Sequence, residues 1–396
     1  MAHPLLTEGA MRSLVVLASV VLCACGANPP VPLNDAGPTP PSDAGLDLND
    51  VSWLVPLPLP AQVPVMLGLD SRGPRGPLLP RRLYDALPGL LAGEDPQTLF
   101  ARFKVVSIRV DPCFPRTATS GCIQHLRLVA QPIVSAGLVT STDDATLHLF
   151  FELSLDDFAD AKQTVWQLRA LAQGATDGKP LDVHPVMRAE GLTGPYATTL
   201  HALVTRLCGE QNLTRVAFMR LVQKDIAWRF GALDVQNGQL VPGPIPRLTA
   251  LTEQGVQEFG NDAFRSGALQ PAASGDDLPV LLSESELRLT DQRTYDRAIT
   301  AALRVEHPAR SNPKTMDCGA CHVASRALRN ARKERPVDTS THADRYVGHA
   351  RFDLTRIDGI GDDPRSLRSF GYFEALSALS QRTINESAEV AEAMSR

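Results

Sequence analysis

Between Trp53 and Leu289, apolar and polar residues alternate in several short runs. Val106, Ile108 and Val110 alternate with Ser107 and Arg109, and Leu126, Leu128 and Ala130 with Arg127 and Gln131. Leu147, Leu149, Phe151 and Leu153 alternate with Thr146, His148 and Glu152, and Ile226, Trp228 and Phe230 with Ala227 and Arg229. A period of two predicts strands with one buried face. Asn237-Gly238, set between Leu233/Val235 and Leu240/Val241, predicts a tight hairpin. Ser154 and Asp157 form a capping box ahead of Phe158, Ala161, Val165 and Leu168, which recur at helical spacing. A second helix is predicted from Ala197 to Cys208, ending at Gly209. Neighbouring strands with helices between them give the expected class: α+β, an antiparallel β-rich domain with inserted helices over residues 51–290. Beyond it the period changes. Tyr295, Ala298, Ile299, Ala302 and Leu303 recur at helical spacing, as do Ile384, Ala388, Ala391 and Met394, so a small α-helical domain is expected over residues 291–396.

Composition narrows the class without naming it. A chain of 396 residues suggests two or three domains. Apolar residues at 43% and charged residues at 21% exclude a disordered, collagen-like or multi-span membrane protein. A net charge of −5 offers no global field for nucleic acid, and no nucleic-acid partner is expected.

The N-terminus reads as an export signal. Met11-Arg12 supplies one positive charge before the apolar run Leu14 to Leu22, the layout of a secretory signal. That run is about half the roughly 20 residues a membrane span needs. It ends in Leu22-Cys23-Ala24-Cys25-Gly26, which resembles a bacterial lipobox. The resemblance implies that residues 1–24 are a lipoprotein signal peptide, that Cys25 is lipidated and anchors the protein to a membrane, and that Gly26 directs it to the outer membrane. Residues 25–50 hold Pro29, Pro30, Pro32, Pro38, Pro40 and Pro41, with no aromatic residue and no Lys or Arg. An extended tether is expected there.

Cys113 and Cys122 flank a turn-rich stretch between two predicted strands, and in an oxidising compartment a disulfide across that hairpin is expected. Cys208 is then an odd cysteine, expected in the core. No G-x-S-x-G, H-E-x-x-H, phosphate loop or G-x-G-x-x-G occurs in this region. The pairs Asp143/Asp144, Asp156/Asp157 and Asp276/Asp277 fall at predicted turns and helix starts. His125, His148, His184 and His201 are scattered, with none at ligand spacing to another.

Chemistry is concentrated in Asp317-Cys318-Gly319-Ala320-Cys321-His322. C-x-x-C-H is the attachment motif of c-type haem. Residues i and i+3 share a helix face, so both thiols reach the vinyl groups of one porphyrin, and His322 projects toward the iron as proximal ligand. For this composition the pattern arises by chance in roughly 0.3% of chains. The motif and the last hundred residues resemble c-type cytochromes, and the chain is similar to an uncharacterised group of exported bacterial lipoproteins with a C-terminal haem motif. The resemblance implies covalent haem c held by Cys318 and Cys321, and a redox partner protein. The commonest cytochrome pattern also has a Gly-Pro loop with a Met ligand after the motif, which is absent here. Among later donors His349 is the expected distal ligand, with His342 next and an open site third; Met394, two residues from the C-terminus, is the weakest donor. Arg326, Arg329, Arg332, Lys333 and Arg335 form a basic stripe, read as a solvated face or a docking patch. The expected function is single-electron transfer in the cell envelope by a membrane-anchored monohaem cytochrome. Two alternatives stand beside it: a ligand-binding lipoprotein in which Cys318–Cys321 is a disulfide clamp, and a peroxidase-like haem enzyme. Zinc would need ligands that no second C-x-x-C supplies.

Overall fold

The computed structural model describes residues 45–87, 95–115, 121–222, 227–248, 251–257, 268–271, 277–340, 342–357 and 367–396. In chain order these include α1 (Leu48–Val51), β1 (Ser52–Leu54), β2 (Phe103–Pro115), β3 (Cys122–Ala136), β4 (Val139–Thr142) and β5 (Ala145–Leu153). Next come α2 (Leu155–Ala172), α3 (Pro195–Leu207), β6 (Leu213–Val222), β7 (Ala227–Gln236), β8 (Gln239–Pro242), β9 (Glu253–Gln257) and β10 (Ala268–Gln270). The chain closes with α4 (Gln292–Glu306), α5 (Cys318–Glu334), β11 (Phe370–Phe373), β12 (Leu376–Leu379) and α6 (Gln381–Ser395).

β1 to β10 form one sheet in the order β1-β2-β3-β5-β6-β7-β9-β10, with β4 on β3 and β8 on β7. Every pairing is antiparallel. The expected α+β class with a large antiparallel sheet is present. The β7–β8 turn puts Asn237 and Gly238 at positive φ, the backbone that favours these two residues there. Ser154 and Asp157 cap α2 reciprocally. Cys113 and Cys122 are bonded across the end of the β2–β3 hairpin.

Alternation along the strands decides which element covers each face. Leu147, Leu149 and Phe151 share a core with Val165 and Leu168 of α2 and Leu200 and Leu203 of α3. The opposite face is covered as well. There Met219, Trp228 and Phe230 pack with Ile299 and Leu303 of α4 and Val323 and Leu328 of α5. Each face therefore carries its own apolar cluster covered by helices.

At the other end, the packed chain starts earlier than the expected tether allows. Leu46, Leu48 and Val51 are fully buried. Asp47 and Asp50 form a capping box on α1, and Asp50 lies 3.3 Å from Arg169 of α2. Leucine spacing at 46 and 48 contributes burial that the surrounding prolines obscure. The signal peptide, Cys25 and most of the tether lie outside the described residues.

Candidate functional site

The C-x-x-C-H segment begins α5, and its first turn is fastened to the sheet. Asp317 caps the helix, its carboxylate accepting from the Ala320 amide at 2.8 Å and from the side-chain amide of Gln254 at 2.7 Å. The Gln254 carbonyl oxygen in turn accepts from Gly319 N at 2.7 Å. Such a cap contributes about 1 kcal/mol. A Cβ on Gly319 would stand 2.7 Å from Leu269 Cδ2 and 2.9 Å from Gln254 Cδ. Gly319 thus permits close approach of helix and sheet.

Cys318, Cys321 and His322 line one cavity, which opens to solvent and spans about 870 Å³ when the open part is counted. Strand register explains its floor. Val129, His148, Ala217 and Ala232 are successive cross-strand partners, and so are Arg109, Arg127, Phe150 and Arg215. These two adjacent rows face the same side of the sheet. Ala217 and Ala232 keep the floor low beside His148. Met316, Phe370, Arg382 and Glu386 complete the walls.

Cys318 and Cys321 are free thiols. Burial pushes them up to about 12 and about 11 respectively, so both are protonated at neutral pH. A redox-active or nucleophilic cysteine needs the opposite shift. The clamp alternative requires a bonded pair, which these two side chains do not form. Among the described residues no three His, Cys, Asp or Glu side chains are grouped as a metal-ion site.

The His322 ring lies 4.9 Å from Phe230 at a 39° tilt. It lies 6.0 Å from His148, with the two planes at 85°. Burial, followed by the charge of Arg368, pushes the His322 imidazole down to about 4, partly offset by a hydrogen bond to the Leu367 carbonyl. Burial also holds His148 well below its ordinary range, with His322 next in effect. Both rings are neutral at physiological pH. His322 Nδ1 and His148 Nε2 are buried without a hydrogen-bond partner, and an unmade bond of this kind costs about 1–3 kcal/mol.

One wall is cationic. Glu386 of α6 receives Arg109 at 2.5 Å and Arg382 at 2.5 Å, while Asp111 receives Arg109 at 3.0 Å and Arg127 at 3.3 Å. These three guanidinium groups meet two carboxylates. The surrounding arginines, Arg109 first, hold Glu386 well below the usual carboxylate range against the cost of its burial.

The other residues singled out in the sequence lie elsewhere. His349 is on the surface, its Nε2 3.6 Å from Glu392, and neither it nor His342 lines the cavity. The segment carrying them runs along α4 and α6, where Asp344 pairs with Arg304 at 3.0 Å and Arg351 with Glu392 at 3.2 Å. The structure therefore does not bring His349 or His342 together with Cys318, Cys321 and His322. Within the basic stripe, Arg329 and Arg332 line a separate cavity with Arg345 and Glu306. Arg335 stacks on Tyr295 at 4.5 Å. Asp143 and Asp144 hold Arg102 and Arg368 at 2.8 and 2.9 Å, a structural role. Cys208 is fully buried.

Comparison with protein-family models, with curated proteins and with solved structures returned no match.

Sequence reasoning passed over His148. It sits among the polar positions of an alternating strand, which read as the wet face. The available signal was Trp228 and Phe230 on β7, two large apolar residues in phase with each other, which require a cover on that side of the sheet.

Proposed function

We propose that this chain is a lipid-anchored monohaem c-type cytochrome that passes single electrons in the cell envelope. The observation that carries the reading is the convergence of Cys318, Cys321 and His322 on one cavity as two unpaired thiols and a neutral imidazole. The donor set fits haem c. Thioether sulfur is uncharged, so a site that keeps both thiols neutral suits it, whereas zinc or dithiol chemistry needs thiolates.

A covalently held haem supplies a one-electron iron couple whose potential follows axial ligation, burial and nearby charge. The chain's own residues would act as follows. Cys318 and Cys321 hold the group to the first turn of α5. His322 presents an unprotonated ring, fixed by Phe230 and by the Leu367 carbonyl, the kind of outer contact that orients an imidazole ligand. Arg109, Arg127, Arg215 and Arg382 offer guanidinium groups to the propionate carboxylates. Val129, Phe150 and Phe370 exclude water.

Residues 1–24 are proposed as the signal, Cys25 as the lipidated residue and the outer membrane as the location. The redox partner is proposed to be another envelope protein. The test is a denaturing gel stained for haem peroxidase activity. Wild-type chain should retain stain, and the Cys318→Ala/Cys321→Ala variant should lose it. A double variant that still stains overturns the attachment.

A further inference from the structure

The cavity holds a second imidazole that the motif does not supply. His148 projects from the middle of β5, far from the C-x-x-C-H segment in sequence, into the same space as His322. Its place is built by the sheet. Val129 lies across the strand on one side and Ala217 on the other, so no large neighbour in that row covers the ring.

Three observations point the same way. His148 Nε2 and His322 Nδ1 are both buried and unpartnered, and of the described side-chain atoms in that state these two are ring nitrogens lining the same cavity. A tautomer of either ring cannot remove both defects, because neither ring accepts or donates a hydrogen bond to the other. The ring centres are 6.0 Å apart. Two metal–nitrogen bonds of about 2.0–2.1 Å, plus the distance from each nitrogen to its ring centre, come to roughly 6 Å for two imidazoles sharing one metal atom. Finally, the candidates from the C-terminal segment are absent from the cavity, since His349 pairs with Glu392 on the surface.

We infer that His148 is the second axial ligand of the haem iron, so that the cofactor is held between a sheet imidazole and a helix imidazole. The inference rests on the haem reading and adds to it. Met316 also lines the cavity, but it precedes Cys318 by two residues, on the same short connection that carries the attachment. His148 approaches from the sheet instead.

This arrangement has a consequence for electron transfer. One ligand belongs to β5 and the other to α5, so the iron ties the sheet to the C-terminal helices. Two neutral imidazoles also favour a lower potential than imidazole with thioether.

The test uses the full exported chain carrying its haem. Wild-type protein should be low-spin in both oxidation states. Its near-infrared magnetic circular dichroism should show the charge-transfer band of two nitrogen ligands, and rings held near 85° should give a strongly anisotropic low-spin paramagnetic resonance signal. His148→Gly should keep a full complement of covalent haem by pyridine haemochrome yet turn high-spin, and added imidazole should restore the low-spin spectrum. An unchanged low-spin spectrum in His148→Gly overturns the inference, as does a wild-type band at the imidazole–thioether position, which would put Met316 on the iron. If the variant fails to fold, that wild-type band still overturns the inference when it falls at the imidazole–thioether position, and a His349→Ala/His342→Ala variant that keeps the two-nitrogen band leaves His148 as the donor. Wild-type protein without covalent haem would overturn the cytochrome reading and this inference together, which separates the two failures.

Discussion

Arg109 of β2 and Glu386 of α6 meet at 2.5 Å in the wall of the thiol-lined cavity, with side chains only 5% and 14% exposed. The pair joins the second strand to the last helix. Arg127 and Arg382 also face Glu386, at 3.9 and 2.5 Å. Removing one partner of a buried pair leaves uncompensated charge and costs about 3–5 kcal/mol. Glu386→Ala should therefore lower stability by that amount in urea unfolding. A loss below about 1 kcal/mol, as for an exposed pair, would show that solvent reaches the cluster.

Stability should also depend on pH through Glu306. This carboxyl is buried at the end of α4, accepting from Ser325 Oγ at 2.7 Å, and burial pushes it up from 4.5 to about 7. A carboxyl raised on folding contributes its stability below the unfolded pKa and loses it as pH rises through the folded value. Asp50, raised to about 6 by burial, acts in the same direction, while His322 and His148 act oppositely. The informative quantity is the difference between wild type and Glu306→Gln. Between pH 4.5 and pH 8 the wild type should lose about 3 kcal/mol relative to the variant. Parallel stability curves for the two proteins would contradict this.

The Cys113–Cys122 bond closes a short loop, with a sequence separation of nine, and contributes about 2–3 kcal/mol in the chain-entropy picture. Cys113→Ser/Cys122→Ser should lower the unfolding free energy by that amount without altering the haem spectrum, because neither sulfur lines the cavity. A spectral change would show that the hairpin end reaches the site.

Much of the framework was legible along the chain, and the limits have a physical origin. The strand around Leu147, Leu149 and Phe151, the turn at Asn237-Gly238 and the helices beginning at Ser154 and Cys318 follow local rules of spacing and capping. β6 escaped notice because Leu213, Val216, Phe218, Met219 and Leu221 present apolar residues to both faces, which erases the period of two. The β11–β12 hairpin, in a stretch expected to be helical, docks through Gln131, whose side chain bonds Tyr372 N and O at 2.7 and 2.8 Å. That long-range pairing leaves no local trace. Cys318, Cys321 and His322 were evident from spacing alone, whereas the floor opposite them depends on strand register across five strands. For the same reason His349 stood out in sequence by position and His148 did not.

The most direct measurement of the central claim is a pyridine haemochrome spectrum, with haem-to-protein stoichiometry, of the full chain purified from an exporting host that matures c-type haem. The account predicts one haem per chain with the spectrum of a porphyrin whose two vinyl groups are saturated by thioethers, and its loss in Cys318→Ala/Cys321→Ala. A colourless wild-type protein, or a haem extracted intact by acidified organic solvent, would contradict it.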